Sequence, residues 1–172
     1  MPAHDSIGPA LIASLPQLRR YALAVCRDSD LADELVQETC ERALVSGLPD
    51  GDTPFNAWLF TIARNRWFDR LRQRKARGEH ESVDDHADLA DPYEHDEAMQ
   101  ARHTLVKVEQ AMQKLPPEQQ ELMHLVCVEE LSYKEAAAVV GVPIGTVMSR
   151  LARARVRLAE LAGLLPATAS NA

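Results

Sequence analysis

The sequence predicts an all-α chain: two small helical domains joined by a flexible acidic linker. Three observations carry this reading. Apolar residues recur at helical spacing through most of the 172 residues, and no stretch shows the period-two alternation of a half-buried strand. Clusters of Gly and Pro punctuate the chain as SGLPDGDTP at 46–54, LPP at 115–117 and GVP at 141–143. Finally, the charge is sorted, with two basic segments flanking an acidic one.

The elements follow in order. A helix is expected from about Gly8 to Arg27 and a second from about Asp30 to Val45, with Leu31, Leu35, Cys40 and Leu44 among its apolar positions. The loop 46–54 ends at Pro54, a residue suited to a first helical turn, and a long helix continues to about Lys75. Residues 79–97 hold nine acids and no Lys or Arg. So polar a segment buries too little surface to offset its ordering entropy, and it reads as a linker. Helices are expected again from about Asp96 to Leu115 and from Pro117 to about Glu130. A short helix opens at Leu131-Ser132-Tyr133-Lys134-Glu135, and the last begins near Ile144. The boundaries are therefore 1–78 for the first domain, 79–97 for the linker, 98–165 for the second domain and 166–172 for a frayed tail.

The bulk numbers exclude several classes. No apolar run is long enough for a transmembrane helix, and the N-terminus lacks the basic start of a signal peptide. The three cysteines, Cys26, Cys40 and Cys127, are odd in number and far apart, which suggests buried free thiols in a reducing cytoplasm. A net charge of −7 argues against nucleic acid only if it is averaged. Arg64, Arg66, Arg70, Arg72, Arg74, Lys75 and Arg77 face a single acid, Asp69, within 55–78, and residues 141–158 hold four arginines and no acid.

The C-terminal pair of helices has the helix-turn-helix pattern. Ser132 and Glu135 form a capping box, Ala136, Val139 and Val140 give a small apolar face, and Gly141 ends the helix. Projected at 100° per residue, Ile144, Val147, Leu151, Ala154, Leu158 and Leu161 fall on one stripe that should pack inward. Ser149, Ala152 and Arg153 face away, flanked by Met148 and Arg150. A helix presents its N-terminal half to base edges in the major groove, so Met148, Ser149 and Arg153 are the candidate base readers. Arg150, Arg155 and Arg157 suit phosphates, and Lys134 and Thr146 suit backbone contact at the edge of the motif. The plainer alternative is a helical hairpin with a solvated basic face.

In the first domain, five of the eight aromatics lie between Phe55 and Phe68. Phe55, Trp58, Leu59 and Ile62 share one face of the helix, with Phe60, Trp67, Phe68 and Leu71 roughly opposite. Cations interleaved with rings suit single-stranded nucleic acid, because the cations hold the backbone and the rings stack on unpaired bases. The alternative is burial of both faces in a three-helix core with the arginines at the exposed end; Trp58 is expected in the core, and Trp67 and Phe68 are left open between the two readings. On the preceding helix, Asp33, Gln37 and Glu41 line up at spacing four, an acidic face suited to a basic protein partner rather than DNA, with a plain solvated surface as the alternative.

Together these segments resemble an extracytoplasmic-function (ECF, group 4) sigma factor of bacterial RNA polymerase. DLADELVQETCERAL and FNAWLFTIARNRWFDRLR are similar to the family's region 2, and LPPEQQELMHLVCVEELSYKEAAAVVGVPIGTVMSRLARAR to its region 4. The resemblance covers about residues 10–162. It implies that Asp33, Gln37, Glu38 and Glu41 dock on the clamp helices of the polymerase β′ subunit, with the β flap as a second polymerase contact. The loop Ser46–Pro54, with Leu48 as a wedge, matches the one that captures a flipped base of the −10 element. Arg64, Asn65, Arg66 and Asp69 match the −10 recognition helix. Met148, Ser149, Ala152 and Arg153 match the −35 reading surface. Many members carry a basic residue at the position of Met148. The resemblance also implies an anti-sigma factor partner, a cytoplasmic location, no cofactor and no catalytic activity of the chain's own.

Two other classes stand beside this one. A helix-turn-helix regulator acting without core polymerase would carry a ligand pocket or a phospho-acceptor domain in its first half. A metal protein or enzyme would need better than His80, His86 and His95, whose spacing fits no compact site. There is no Gly-rich phosphate loop and no Cys pair at zinc spacing.

Overall fold

The computed structural model describes residues 4–79 and 97–165, and all regular structure among them is helical. The linker histidines and the C-terminal tail 166–172 lie outside the described residues. Among the described residues seven α-helices follow one another: α1 (His4–Cys26), α2 (Ser29–Ser46), α3 (Phe55–Ala76), α4 (Glu97–Gln113), α5 (Pro117–Met123), α6 (Tyr133–Val140) and α7 (Ile144–Leu161). A π-helical turn, His124–Val128, continues α5. The first helix starts at His4, ahead of the expected Gly8.

In the N-terminal half, α1, α2 and α3 pack on one another. The Asp28 side chain caps α2 by accepting from the Leu31 N–H at 2.9 Å. The buried stripe of α2 is Ala32, Leu35, Thr39 and Ala43, and Leu44, expected among the apolar positions, is exposed. The stripe steps by three and four residues, which keeps it on one face of a 3.6-residue helix and turns Leu44 off that face. Thr39 fits the core because its hydroxyl donates to the Leu35 carbonyl at 2.7 Å.

Both faces of α3 are used. Leu59 joins Ile7, Leu11 and Ala43 in one cluster, with Phe55, Trp58 and Ile62 at its edge. Phe60, Ala63 and Trp67 join a second, larger cluster. Trp58 is half-buried rather than fully in the core, stacked beside Phe55 at a 5.5 Å centroid separation.

That larger cluster runs through both halves. It joins Leu18, Tyr21, Ala22 and Leu35 to Leu122, Leu125, Val139, Val147, Leu151 and Ala154. Helix α3 packs on α6, and α1 on α5 and the π turn. A polar seam follows the same contact. The Tyr21 hydroxyl donates to Glu121 Oε1 at 2.7 Å, and Arg64 Nε donates to the same oxygen at 2.9 Å. Arg20 grips both oxygens of Glu129, at 3.1 and 2.9 Å, and His124 Nε2 lies 3.0 Å from Glu129 Oε1. Arg27 donates to the Gln120 side chain.

None of the three cysteines forms a disulfide, and the expectation of buried thiols is corrected. Cys26 and Cys40 are half-buried and Cys127 is exposed. Cys127 lies in the π turn, whose extra residue per turn shifts its side chains off the α-helical stripe.

Candidate nucleic-acid interface

The helix-turn-helix is built from α6 and α7. The Ser132 hydroxyl accepts from the Glu135 N–H at 3.2 Å, and the Glu135 carboxylate accepts from the Ser132 N–H at 2.7 Å, so the capping box is complete. Gly141 ends α6 in the left-handed region at φ 71°, and its N–H bonds back to the Ala137 carbonyl at 2.9 Å. Pro143 then opens α7, and the two helix axes differ by 102°. Val147, Leu151 and Ala154 are buried and Leu158 is partly buried. Ile144 and Leu161, placed on the same stripe by projection, are exposed, because the stripe outruns its packing partners at both ends of the helix.

Met148, Ser149, Ala152 and Arg153 share the exposed side of α7, with Met148 53% exposed. Ser149 Oγ donates to the Thr146 carbonyl at 3.1 Å, and Arg153 Nε donates to the Ser149 carbonyl at 3.3 Å, so both polar heads are held close to the helix. Thr146 is half-buried, and Lys134 and Arg157 are exposed. Arg150 and Arg155 are tied within the domain. Arg150 lies 3.5 Å from Glu118 on α5, and Arg155 donates to the Tyr133 hydroxyl at 3.1 Å.

The second basic surface is on α3. Asn65, Arg66, Phe68 and Asp69 are exposed. Trp67 and Phe68, adjacent in sequence, part company: Trp67 is 5% exposed, whereas Phe68 is 38% exposed with the Arg64 guanidinium 4.4 Å over its ring. Phe68 is a candidate base-stacking residue that pattern alone left undivided from its neighbour. Asp69 pairs with Arg72 one turn on. In the loop before α3, Leu48 is exposed beside Gly47 and Gly51, both at positive φ.

The acidic face of α2 is already engaged in part. Asp33 accepts from Arg19 at 2.8 Å, and Gln37 donates to Glu41 at 3.0 Å. Glu38 lies 2.6 Å from Arg70 and 3.4 Å from Arg66, tying the face to the basic helix α3. The Arg19–Asp33 and Gln37–Glu41 pairs are solvent-exposed and contribute little to stability, whereas the Glu38–Arg70 pair is partly buried.

Among the described residues no group of His, Cys, Asp and Glu is arranged to hold a metal ion. No single helix there is long and apolar enough to cross a membrane.

Comparison with known proteins bears on both surfaces. The sigma-70 region 2 family matches residues 11–77 and the sigma-70 region 4 family residues 105–158, in that order. The chain is 38% identical over 164 residues to the ECF RNA polymerase sigma factor EcfG of Rhodopseudomonas palustris, an alignment covering 94% of this chain and 87% of that protein. Among solved structures, it resembles the sigma factor RpoE of Bartonella quintana in complex with the anti-sigma factor NepR. The TM-score is 0.72 at 32% identity, over 92% of this chain and 97% of that one. It also resembles CnrH in complex with the cytosolic domain of CnrY, with a TM-score of 0.64 at 27% identity, over 94% and 93% of the two chains. Two sigma regions in the family's order, on an all-helical fold shared along nearly the whole length, place this chain among the ECF sigma factors of bacterial RNA polymerase.

Proposed function

We propose that this sigma factor directs promoter-specific initiation through two separate DNA-reading surfaces. Helix α7 enters the major groove of the −35 element with Met148, Ser149, Ala152 and Arg153 against base edges. Lys134, Thr146, Arg150, Arg155 and Arg157 lie along the phosphates. Helix α3 and the loop before it take the −10 element as separated strands. Arg64, Arg66 and Asn65 hold the backbone and bases, Asp69 sets the Arg72 side chain beside them, and Leu48 wedges at a flipped base. Unstacking each base costs a few kcal/mol, and capture by region 2 offsets part of that cost. The acidic face of α2, through Asp33, Gln37, Glu38 and Glu41, meets a basic surface of the polymerase clamp, and region 4 meets the β flap. Each half alone binds weakly; the polymerase sets their spacing and supplies avidity. The site of action is the cytoplasm, where the polymerase is. An anti-sigma factor as a second partner is supported by the similar sigma factor RpoE, solved in complex with the anti-sigma factor NepR.

The observation that carries this reading is the exposed, small-residue face of α7 on a fully capped helix-turn-helix, in one chain with a basic aromatic region 2 helix. The test is run-off transcription by core polymerase with this chain on a randomised promoter pool. Enriched templates should share two short elements, one in the melted region and one upstream. Transcripts without any shared upstream element would remove α7 from the −35 role. Absence of transcripts from the whole pool, under conditions where another sigma factor is active, would overturn the reading altogether.

A further inference from the structure

The outward side of α7 is sorted into two parallel rows. Residues four apart on a helix stand nearly one above the other, with about 6 Å between them along the axis. One row is Ile144, Met148, Ala152 and Val156, and its three large members are each about half exposed. The row beside it is Gly145, Ser149, Arg153 and Arg157, all exposed. The first row is apolar throughout, and the second carries a hydroxyl and two guanidinium groups.

Scattered apolar residues on a surface need no explanation, but three large ones in one row of a single helix call for a partner. The surroundings say which kind. Lys134 on α6 and Arg153, Arg155 and Arg157 on α7 are exposed, and residues 141–158 hold no acid. A field of that sign favours a polyanion such as duplex DNA. The Ser149 hydroxyl donates to the Thr146 carbonyl and Arg153 Nε to the Ser149 carbonyl, so both polar side chains lean on α7 itself. Met148 is the longest side chain of the apolar row, and it stands in the half of α7 that reaches base edges.

The chemistry of the groove narrows the target. Thymine alone among the four bases presents a methyl group in the major groove, and apolar side chains recognise it by contact. Arginine or lysine in this place would take guanine through O6 and N7, but methionine has no N–H to give. Its unbranched, polarizable thioether adapts instead to a methyl group. We infer that, with α7 in the −35 major groove as proposed above, Met148 reads a thymine through its C5 methyl group. Ala152 continues the apolar contact about 6 Å further along, nearly two base steps.

The experiment uses holoenzyme, core polymerase carrying this full chain, and the upstream element recovered from the randomised promoter pool. Each thymine of that element, on either strand, is replaced in turn by deoxyuridine, which removes the C5 methyl and leaves base pairing unchanged. At one thymine the replacement should weaken binding about three- to fivefold, the size expected for losing one buried methyl group. Met148→Ala should abolish that difference, so that thymine and uracil bind alike. Met148→Arg should move the preference at the same pair to a guanine. Both variants should keep their helical circular dichroism, since the Met148 side chain is exposed. An upstream element without thymine, or one indifferent to every uracil, overturns the thymine assignment and leaves the functional reading standing. Equal methyl sensitivity in wild type and Met148→Ala gives the methyl to another residue and overturns it too. If uracil is without effect while Met148→Ala weakens assembly with core polymerase in the absence of DNA, the row serves a protein partner instead. Absence of any enriched upstream element removes α7 from the −35 role, and only that outcome withdraws both readings.

Discussion

His124 shows how one side chain inherits its chemistry from its surroundings. Burial pushes its pKa below the ordinary 6.5, and the neighbouring Glu129 carboxylate opposes the shift only in part. A histidine that resists protonation in the folded chain takes up protons more readily when unfolded. Its contribution is therefore complete above about pH 7 and is lost as pH falls through 6.5 toward the lower folded value. The melting temperature should fall between pH 7.5 and pH 5.5, and His124→Gln should flatten that dependence, as scanning calorimetry at both pH values would show. Arg153 makes a different kind of prediction. Its exposed guanidinium is anchored near the Ser149 carbonyl, so Arg153→Ala should cost about 1–3 kcal/mol of discrimination at one −35 position and leave polymerase binding unchanged. Competition binding with single-base variants checks this. A uniform loss on all sequences would assign Arg153 to phosphate instead.

At the scale of elements, two glycines beside the same turn should respond in opposite ways to alanine. Gly141 has φ 71° with open space around its Cβ position, so the strain of Gly141→Ala is purely conformational, about 1–2 kcal/mol. Gly145 lies inside α7 without positive φ and also with open space, so Gly145→Ala should stabilise by about 0.5–1 kcal/mol. Thermal melts of the two variants should move in opposite directions. The sequence made this turn legible, because a capping box, a terminating glycine and a proline act through the backbone within a few residues of themselves. It was also clear that α3 carries aromatics on two sides, but not which would be covered. Trp67 joins the large buried cluster and Phe68 stays outside it, and no periodicity within α3 contains that information. The π turn was equally hidden inside what reads as one helix from Pro117 to Glu130.

At the scale of the molecule, the two halves share one core, and a lesion in one half should be felt in the other. Leu125 is 0% exposed and belongs to the cluster that reaches Tyr21 and Phe60. Leu125→Ala should cost about 2–5 kcal/mol and lower the melting of both halves together, seen as one cooperative calorimetric transition in wild type and variant. Two separate transitions, with only one displaced, would show that the halves melt independently. By itself the sequence determined the all-helical class, the sigma-factor family and the outward face of α7, since these depend on local spacing, capping and motif order. Only the tertiary structure decided which carboxylates meet Tyr21, Arg20 and Arg64, and which side of α3 is left open. Those partners lie between 57 and 109 residues apart in the chain, and pairing across such distances is set by how whole helices pack rather than by any pattern along one of them.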